Sequence, residues 1–247
     1  MAIAVINAHP ETVRYPLMEN PRVGFLLAFV AGLLNAWTLA NASTFATVQS
    51  GNVIQSGYRL IQGDWTAFWF SFISVICFGL GSAACGALMT SLLRRGHVFT
   101  PVVLIFECLA LLGLGIASRM GVVDAHLVAY AVSFVAGAQG NAFHKDHGML
   151  YGNVAVTFVV QMAFNFLVQS FFKKEGINGE PNLMWAGLFF LILLGFAAGG
   201  GIGFYIDAYL IAHASLFIAA AIVFILALDA FERTKRDPDP TPGGSIA

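Results

Sequence analysis

Ser43-Thr-Phe-Ala-Thr-Val-Gln49-Ser50-Gly51-Asn52-Val-Ile-Gln55-Ser-Gly-Tyr-Arg59-Leu-Ile-Gln62 is the stretch on which the fold turns. It lies among apolar blocks, yet it carries Gln49, Gln55, Arg59 and Gln62. After Gly51-Asn52 about 11 residues remain, or roughly 16 Å of helix at about 1.5 Å per residue. That is half of a hydrocarbon layer about 30 Å thick. So short and polar a segment reads as re-entrant or as a half-helix, which enters the membrane and leaves it on the same side.

Around it the composition leaves one solvent, the bilayer. Of 247 residues 58% are hydrophobic, 26 more are glycine and only 10% are charged. Soluble domains hold about 45–50% apolar residues with glycine included, and about 25% charged. A soluble enzyme and a disordered chain are excluded. A net charge of -1 gives no phosphate-seeking surface, so nucleic acid is excluded as a partner too. Six apolar spans follow: Val23 to Ala40, Trp65 to Leu93, Val98 to Ile116, Val122 to Phe143, Leu183 to Ile202 and Ala208 to Leu228. Residues 1–21 read as a cytoplasmic leader, and residues 232–247, rich in Asp and Pro, as a disordered cytoplasmic tail. Cys77, Cys85 and Cys108 lie inside apolar blocks and read as small hydrophobes.

The chain repeats itself. Ala31-Gly32-Leu-Leu-Asn35-Ala36-Trp37, followed by Gln49-Ser50-Gly51-Asn52, is answered by Ala136-Gly137-Ala-Gln139-Gly140-Asn141-Ala142-Phe143, followed by Tyr151-Gly152-Asn153. Residues 22–120 form the first membrane repeat and 121–231 the second. The segment Tyr151 to Phe172 corresponds to Ser43 to Gln62. With both segments re-entrant, six crossings place ten lysines and arginines inside and leave Arg59 and Arg119 outside, as the positive-inside rule requires. Eight crossings, as 4+4 parallel repeats, put nine inside and three outside. The expected fold is therefore an all-α membrane protein of six transmembrane helices plus two re-entrant segments, in two inverted 3+3 repeats. Both termini are expected in the cytoplasm.

Broken segments paired between repeats mark the binding site of many transporters. Gly51-Asn52 and Gly152-Asn153 are the expected hinges. Either each asparagine caps a helix, or the helix starting there aims its free N–H groups at a solute. Asn35, Gln139 and Asn141 precede the hinges, and serve as glue between helices or as solute contacts. Gln161, Asn165 and Gln169 recur every four residues and form one polar stripe. Glu107 is the one carboxylate deep inside a span, an expensive placement that marks a functional residue; His213 lies in the matching span of the other half. Gly195, Gly199 and Gly203, and Ser82 with Gly86, form small-residue faces for helix packing, within one chain or between copies. His144 and His147 make too small a ligand set for a metal, and no nucleophile or phosphate-loop signature is present.

The order A-G-x-x-N-A, then F-A-T-V-Q-S-G-N, then A-G-x-Q-x-x-A and a second G-N resembles the YoaK family of bacterial inner-membrane proteins, a domain of unknown function. The resemblance spans Gly24 to Ala230 and implies a six-span protein suspected of moving small molecules. The family pattern has an aspartate where Asn35 stands, and T-G-N where Ser50-Gly51-Asn52 and Tyr151-Gly152-Asn153 stand. The sequence thus points to a channel or secondary transporter for a small polar solute, without enzyme activity, cofactor or metal. Its solute contacts are expected among Asn35, Gln49, Ser50, Gly51, Asn52, Glu107, Gln139, Asn141, Tyr151, Gly152, Asn153, Gln161 and Asn165. The rival expectation is a membrane assembly protein whose polar residues only lock helices together. Lipid, the solute and a second copy of the chain are the expected partners.

Overall fold

The computed structural model of the protein describes residues 20–143, 145–146, 149–150, 154, 156–175 and 179–233. They form eight helices: α1 Pro21–Ala42, α2 Gln49–Ile61, α3 Trp65–Arg94, α4 Thr100–Arg119, α5 Ala125–Ala142, α6 Val156–Phe172, α7 Asn182–Tyr209 and α8 Ala214–Arg233. Between α5 and α6, the two-residue strands β1 Lys145–Asp146 and β2 Met149–Leu150 pair antiparallel. Most of the expected leader and tail lies outside the described residues.

Local chemistry sets the helix ends. Asn20 accepts from the Arg22 N–H at 3.0 Å, with Pro21 opening α1. Asp64 caps α3 through the Ala67 N–H at 3.1 Å, and Asp124 caps α5 through the His126 N–H at 2.9 Å. Each supplies a first-turn amide with the acceptor it lacks. The bond from His126 also holds the Asp124 carboxyl below its ordinary range.

Five helices, α1, α3, α4, α7 and α8, are long and apolar enough to cross a membrane. The chain is a multi-pass helical membrane protein. The sixth expected span, Val122 to Phe143, is the shorter α5, which does not join this set. Its residues Val128, Ala129, Val132, Ser133, Ala136 and Gln139 are buried against other helices, so α5 has little need of the apolar surface that lipid demands. A second expectation is corrected at the end of the chain. No break separates Ile202 from Ala208, because α7 runs on to Tyr209. Gly203 is a packing residue there, close to Leu33 and Ala36 of α1. The chain turns instead at residues 210–213, where His213 takes φ 63°.

α1 packs along α7, α3 along α5 and α4 along α8, while α2 lies on α3 and α6 on α7. Glycine permits the first two seams. A Cβ on Gly199 would lie closer than 3.0 Å to the Phe29 carbonyl oxygen, and one on Gly32 equally close to that of Phe196. On the other seam Gly81 faces the Phe134 carbonyl and Gly137 faces that of Phe78 in the same way. Backbones in contact at this range gain dispersion and weak Cα–H···O bonds that lipid cannot replace. The glycine face of α7, Gly195, Gly199 and Gly203, is thus used within the chain against α1.

The turn between α7 and α8 ties the ends of two further helices. The Trp37 indole N–H, near the end of α1, donates to His213 Nδ1 at 3.0 Å. Ser118, at the end of α4, lies 3.0 Å from the same nitrogen, and Arg119 donates to the Ala212 carbonyl at 3.3 Å. Because Nδ1 accepts from Trp37, Ser118 is also a donor to it. The C-terminal ends of α1, α4 and α7 therefore lie on one side of the bundle. On α2 the polarity is reversed from that of a soluble amphipathic helix: Asn52 and Ser56 are buried, while Ile54 is 73% and Ile61 88% exposed. That is the arrangement of a helix with protein on one face and lipid on the other.

The seams generate a prediction of opposite signs on one helix. Gly199→Ala must push two backbones apart and should cost about 1–3 kcal/mol. Gly201→Ala meets nothing within 4 Å and should be neutral or stabilising by up to about 1 kcal/mol. Melting temperatures of the two purified variants check this.

Candidate functional site

After α1 ends, the chain comes back beside the helix it has just left. Asn35 stands nearly two turns before the end of α1, about 10 Å along its axis at about 1.5 Å per residue. It binds Thr47 twice: its Nδ2 donates to Thr47 Oγ1, and its Oδ1 accepts from the Thr47 N–H at 3.2 Å. The returning segment, residues 44–48, which is irregular backbone, is then fixed by Asn52. The Asn52 Oδ1 accepts from the Phe45 N–H at 3.0 Å and from the Thr44 hydroxyl at 3.1 Å. Its Nδ2 lies within donating distance of the Phe45 carbonyl at 2.7 Å, Gln49 Oε1 at 2.9 Å and Ser74 Oγ at 3.1 Å. Ser74 of α3 in turn meets Ser133, half-way along α5, at 2.8 Å. A buried amide is costly unless its bonds are made, and here one asparagine side chain satisfies both polar groups of the Phe45 backbone.

Two details of the expected hinge are corrected. The helix begins at Gln49, not at Asn52, with Val48 before it and no side chain capping it. Gly51 sits in the first turn without a positive φ, and its lack of a side chain makes room for the Phe45 ring, 3.1 Å from where a Cβ would stand. The turn itself is made earlier, at Ser43 with φ 51°. Asn52 is therefore not the cap of its own helix; both polar atoms of its side chain are engaged within the protein, where it clasps residues 44–48.

In front of this segment lies a cavity of about 520 Å³. Thr47, Val48, Gln49 and Ser50 form one wall, Val154, Val156, Thr157, Phe158 and Gln161 the opposite one, and Phe78 of α3 adjoins both. The starts of α2 and α6 thus meet across one space. Gln49 faces it with its amide already engaged, since Nε2 donates to the Ala46 carbonyl at 2.7 Å and Oε1 lies by Asn52. Ser50, Thr157 and Gln161 are exposed and, among the described residues, have no hydrogen-bond partner. Among the described residues no charged side chain lines the cavity. A neutral molecule offering hydroxyl, amide or carbonyl groups fits that chemistry, and the volume lies within the roughly 300–1,000 Å³ of small-molecule sites.

Of the residues read from sequence, Gln49, Ser50 and Gln161 line the cavity, with Asn35, Gly51 and Asn52 in the layer that supports it. Tyr151, Gly152 and Asn153 lie outside the described residues. Asn165 stands exposed on α6, one turn beyond Gln161, and accepts from Gln169 at 3.1 Å. The other three are elsewhere. Gln139 donates to the Leu27 carbonyl at 3.1 Å, Asn141 accepts from Ser82 at 3.3 Å, and Glu107 is buried in α4. Sequence reasoning passed over Thr47, Ser74, Ser133 and Thr157, because a hydroxyl in an apolar run satisfies itself on its own helix as often as it binds elsewhere. Thr47 alone carried a signal, its place inside the quoted F-A-T-V-Q-S-G-N motif.

Asn52→Ala removes the only side chain bonded to both polar groups of Phe45 and should lower stability by at least about 2 kcal/mol. Ser50→Ala, two residues away and facing the cavity, should leave the melting temperature unchanged.

A family model described as a protein of unknown function, DUF1275, matches residues 23–228. No curated protein and no solved structure matches the chain.

Proposed function

Since the chain belongs to the DUF1275 family, whose description assigns no activity, we propose a function from the site: a secondary transporter or channel for a small, neutral, polar solute. The solute occupies the cavity between the starts of α2 and α6. That observation, two short helices beginning at one cavity whose lining includes Ser50, Thr157 and Gln161, carries the reading. Broken segments facing each other are how a membrane protein exposes polar backbone to a solute without exposing it to lipid. Ser50, Thr157 and Gln161 make the contacts, on a wall braced by Thr47, Gln49 and Asn52. The reaction is movement of the solute, without covalent chemistry.

The topology that goes with it is six crossings, with α2 and its counterpart α6 re-entrant. Trp37 and Ser118 both reaching His213 supports this count, because eight crossings would send α1 and α4 in opposite directions and part those residues by the width of the membrane. The glycine seams support an inverted repeat in which α1 to α4 correspond to α5 to α8. The α1 seam with α7 then has its image in the α5 seam with α3, and Gly32 and Gly199 are answered by Gly137 and Gly81. The positive-inside count places both termini in the cytoplasm, in a bacterial inner membrane. Association of two copies is favoured at the exposed amides Asn165 and Gln169, since amides facing lipid gain most from a partner.

Two measurements test this reading. A thermal-shift screen of the purified protein against sugars, amides and neutral amino acids should find a stabilising solute. Ser50→Ala and Gln161→Ala should then each weaken it about tenfold or more, or about 1.4 kcal/mol, at unchanged melting temperature of the free protein. Equal affinity in both variants would move the reading to an assembly protein. For topology, a cysteine at Arg59 should be labelled from the outside and one at Arg94 from the inside; Arg59 labelled from the inside would force eight crossings.

A further inference from the structure

Among the described residues four buried side-chain oxygen atoms receive no hydrogen bond: both carboxyl oxygens of Glu107, the Oε1 of Gln139 and, at the start of α7, the Oδ1 of Asn182. Glu107 is 1% exposed. Glu107 and Gln139 stand at one level of the bundle. Ser118 and Trp37 meet at His213; Glu107 lies eleven residues before the first and Leu27 ten before the second. At about 1.5 Å per residue both are roughly 15–17 Å from that end, and Gln139 is bonded to the Leu27 carbonyl. An apolar cavity of about 210 Å³ between α3, α4 and α5 is lined by Cys85, Val103, Phe106 and Ala138, and neither Glu107 nor Gln139 lines it.

We propose that Glu107 is a proton-binding site in the membrane interior, which takes up and releases a proton as the bundle changes conformation. A carboxylate buried without a single donor is costly, and a proton on Glu107 removes the charge that no neighbour compensates. A metal ion fits worse, because hard cations require about six oxygens and no group of three or more His, Cys, Asp and Glu side chains occurs among the described residues. The titratable groups around Glu107 are few: Cys108 beside it and Cys85 on α3, both within its electrostatic reach, Tyr130 and His126 toward the other end of α5, and Asp229 on α8. None bonds to its oxygens. Proton binding does not depend on the solute cavity; only the work that the proton does, driving solute movement, rests on the transporter reading.

The test is infrared difference titration of the full-length protein in lipid vesicles between about pH 5 and 9, a span that covers buried carboxyls. A carboxylic-acid carbonyl band should decrease as the pH rises, and should be missing at every pH in Glu107→Gln. Glu107→Asp, which keeps the carboxyl, should restore a titrating band at a shifted frequency. Should Glu107→Gln fail to fold, the band is assigned by its frequency change in Glu107→Asp alone. A band that persists in folded Glu107→Gln, stays at its frequency in Glu107→Asp, or is constant across the range overturns the proposal. A titrating Glu107 in a protein for which no solute is found keeps the proton site and counts against the transporter. A bound solute beside a silent Glu107 does the reverse.

Discussion

Backbone that turns inside a helical bundle must find hydrogen-bond partners there, because lipid offers none and an unmet amide in it costs several kcal/mol. In this protein the turn is residues 43–48, and Asn52 meets the need by bonding the N–H and the carbonyl of Phe45 with one side chain. The rest follows from that clasp. Thr47 is held against Asn35, α2 can begin at Gln49 without a cap of its own, and its first turn faces open space.

That space has a second wall for a reason of packing. The seams of α1 with α7 and of α3 with α5 depend on glycines that admit a neighbour's carbonyl where a methyl group would collide. Close seams let α3 carry α2 on one side and α5 on the other, and let α7 carry α6. The starts of the two short helices thereby line one cavity together with Phe78. In the proposed reading the long helices are a rigid frame and the short ones the working parts. Ile54 and Ile61 of α2 meet lipid while Asn52 and Ser56 stay with the protein.

Much of this was legible in the sequence, and the rest was hidden for identifiable reasons. Composition alone gives a multi-pass helical protein, and the amides of residues 43–62 give a segment unlike its neighbours. The residues Gln49, Ser50 and Gln161 are found by asking which polar groups sit at breaks. Asn52 was found for its chemistry and given the wrong task, since an asparagine beside a glycine has the same sequence whether it caps its own helix or reaches back to the segment before it. The face of Gly195, Gly199 and Gly203 reads as a packing surface, but its partner stays open because α1, which fills it, is distant in the chain. Depth hides in the same way: Glu107 and Gln139 share a level only through the tie of Trp37 and Ser118 to His213.

The claim on which the account stands is that the starts of α2 and α6 share one water-filled space inside the bundle. In protein whose Cys77, Cys85 and Cys108 are replaced, single cysteines at Ser50, Thr157 and Ile54 can be offered a small, charged thiol reagent in sealed vesicles. The account predicts modification at Ser50 and Thr157 from the aqueous phase, and none at Ile54, on the exposed apolar side of α2. Cysteines at Ser50 and Thr157 as inert as the one at Ile54 would contradict it.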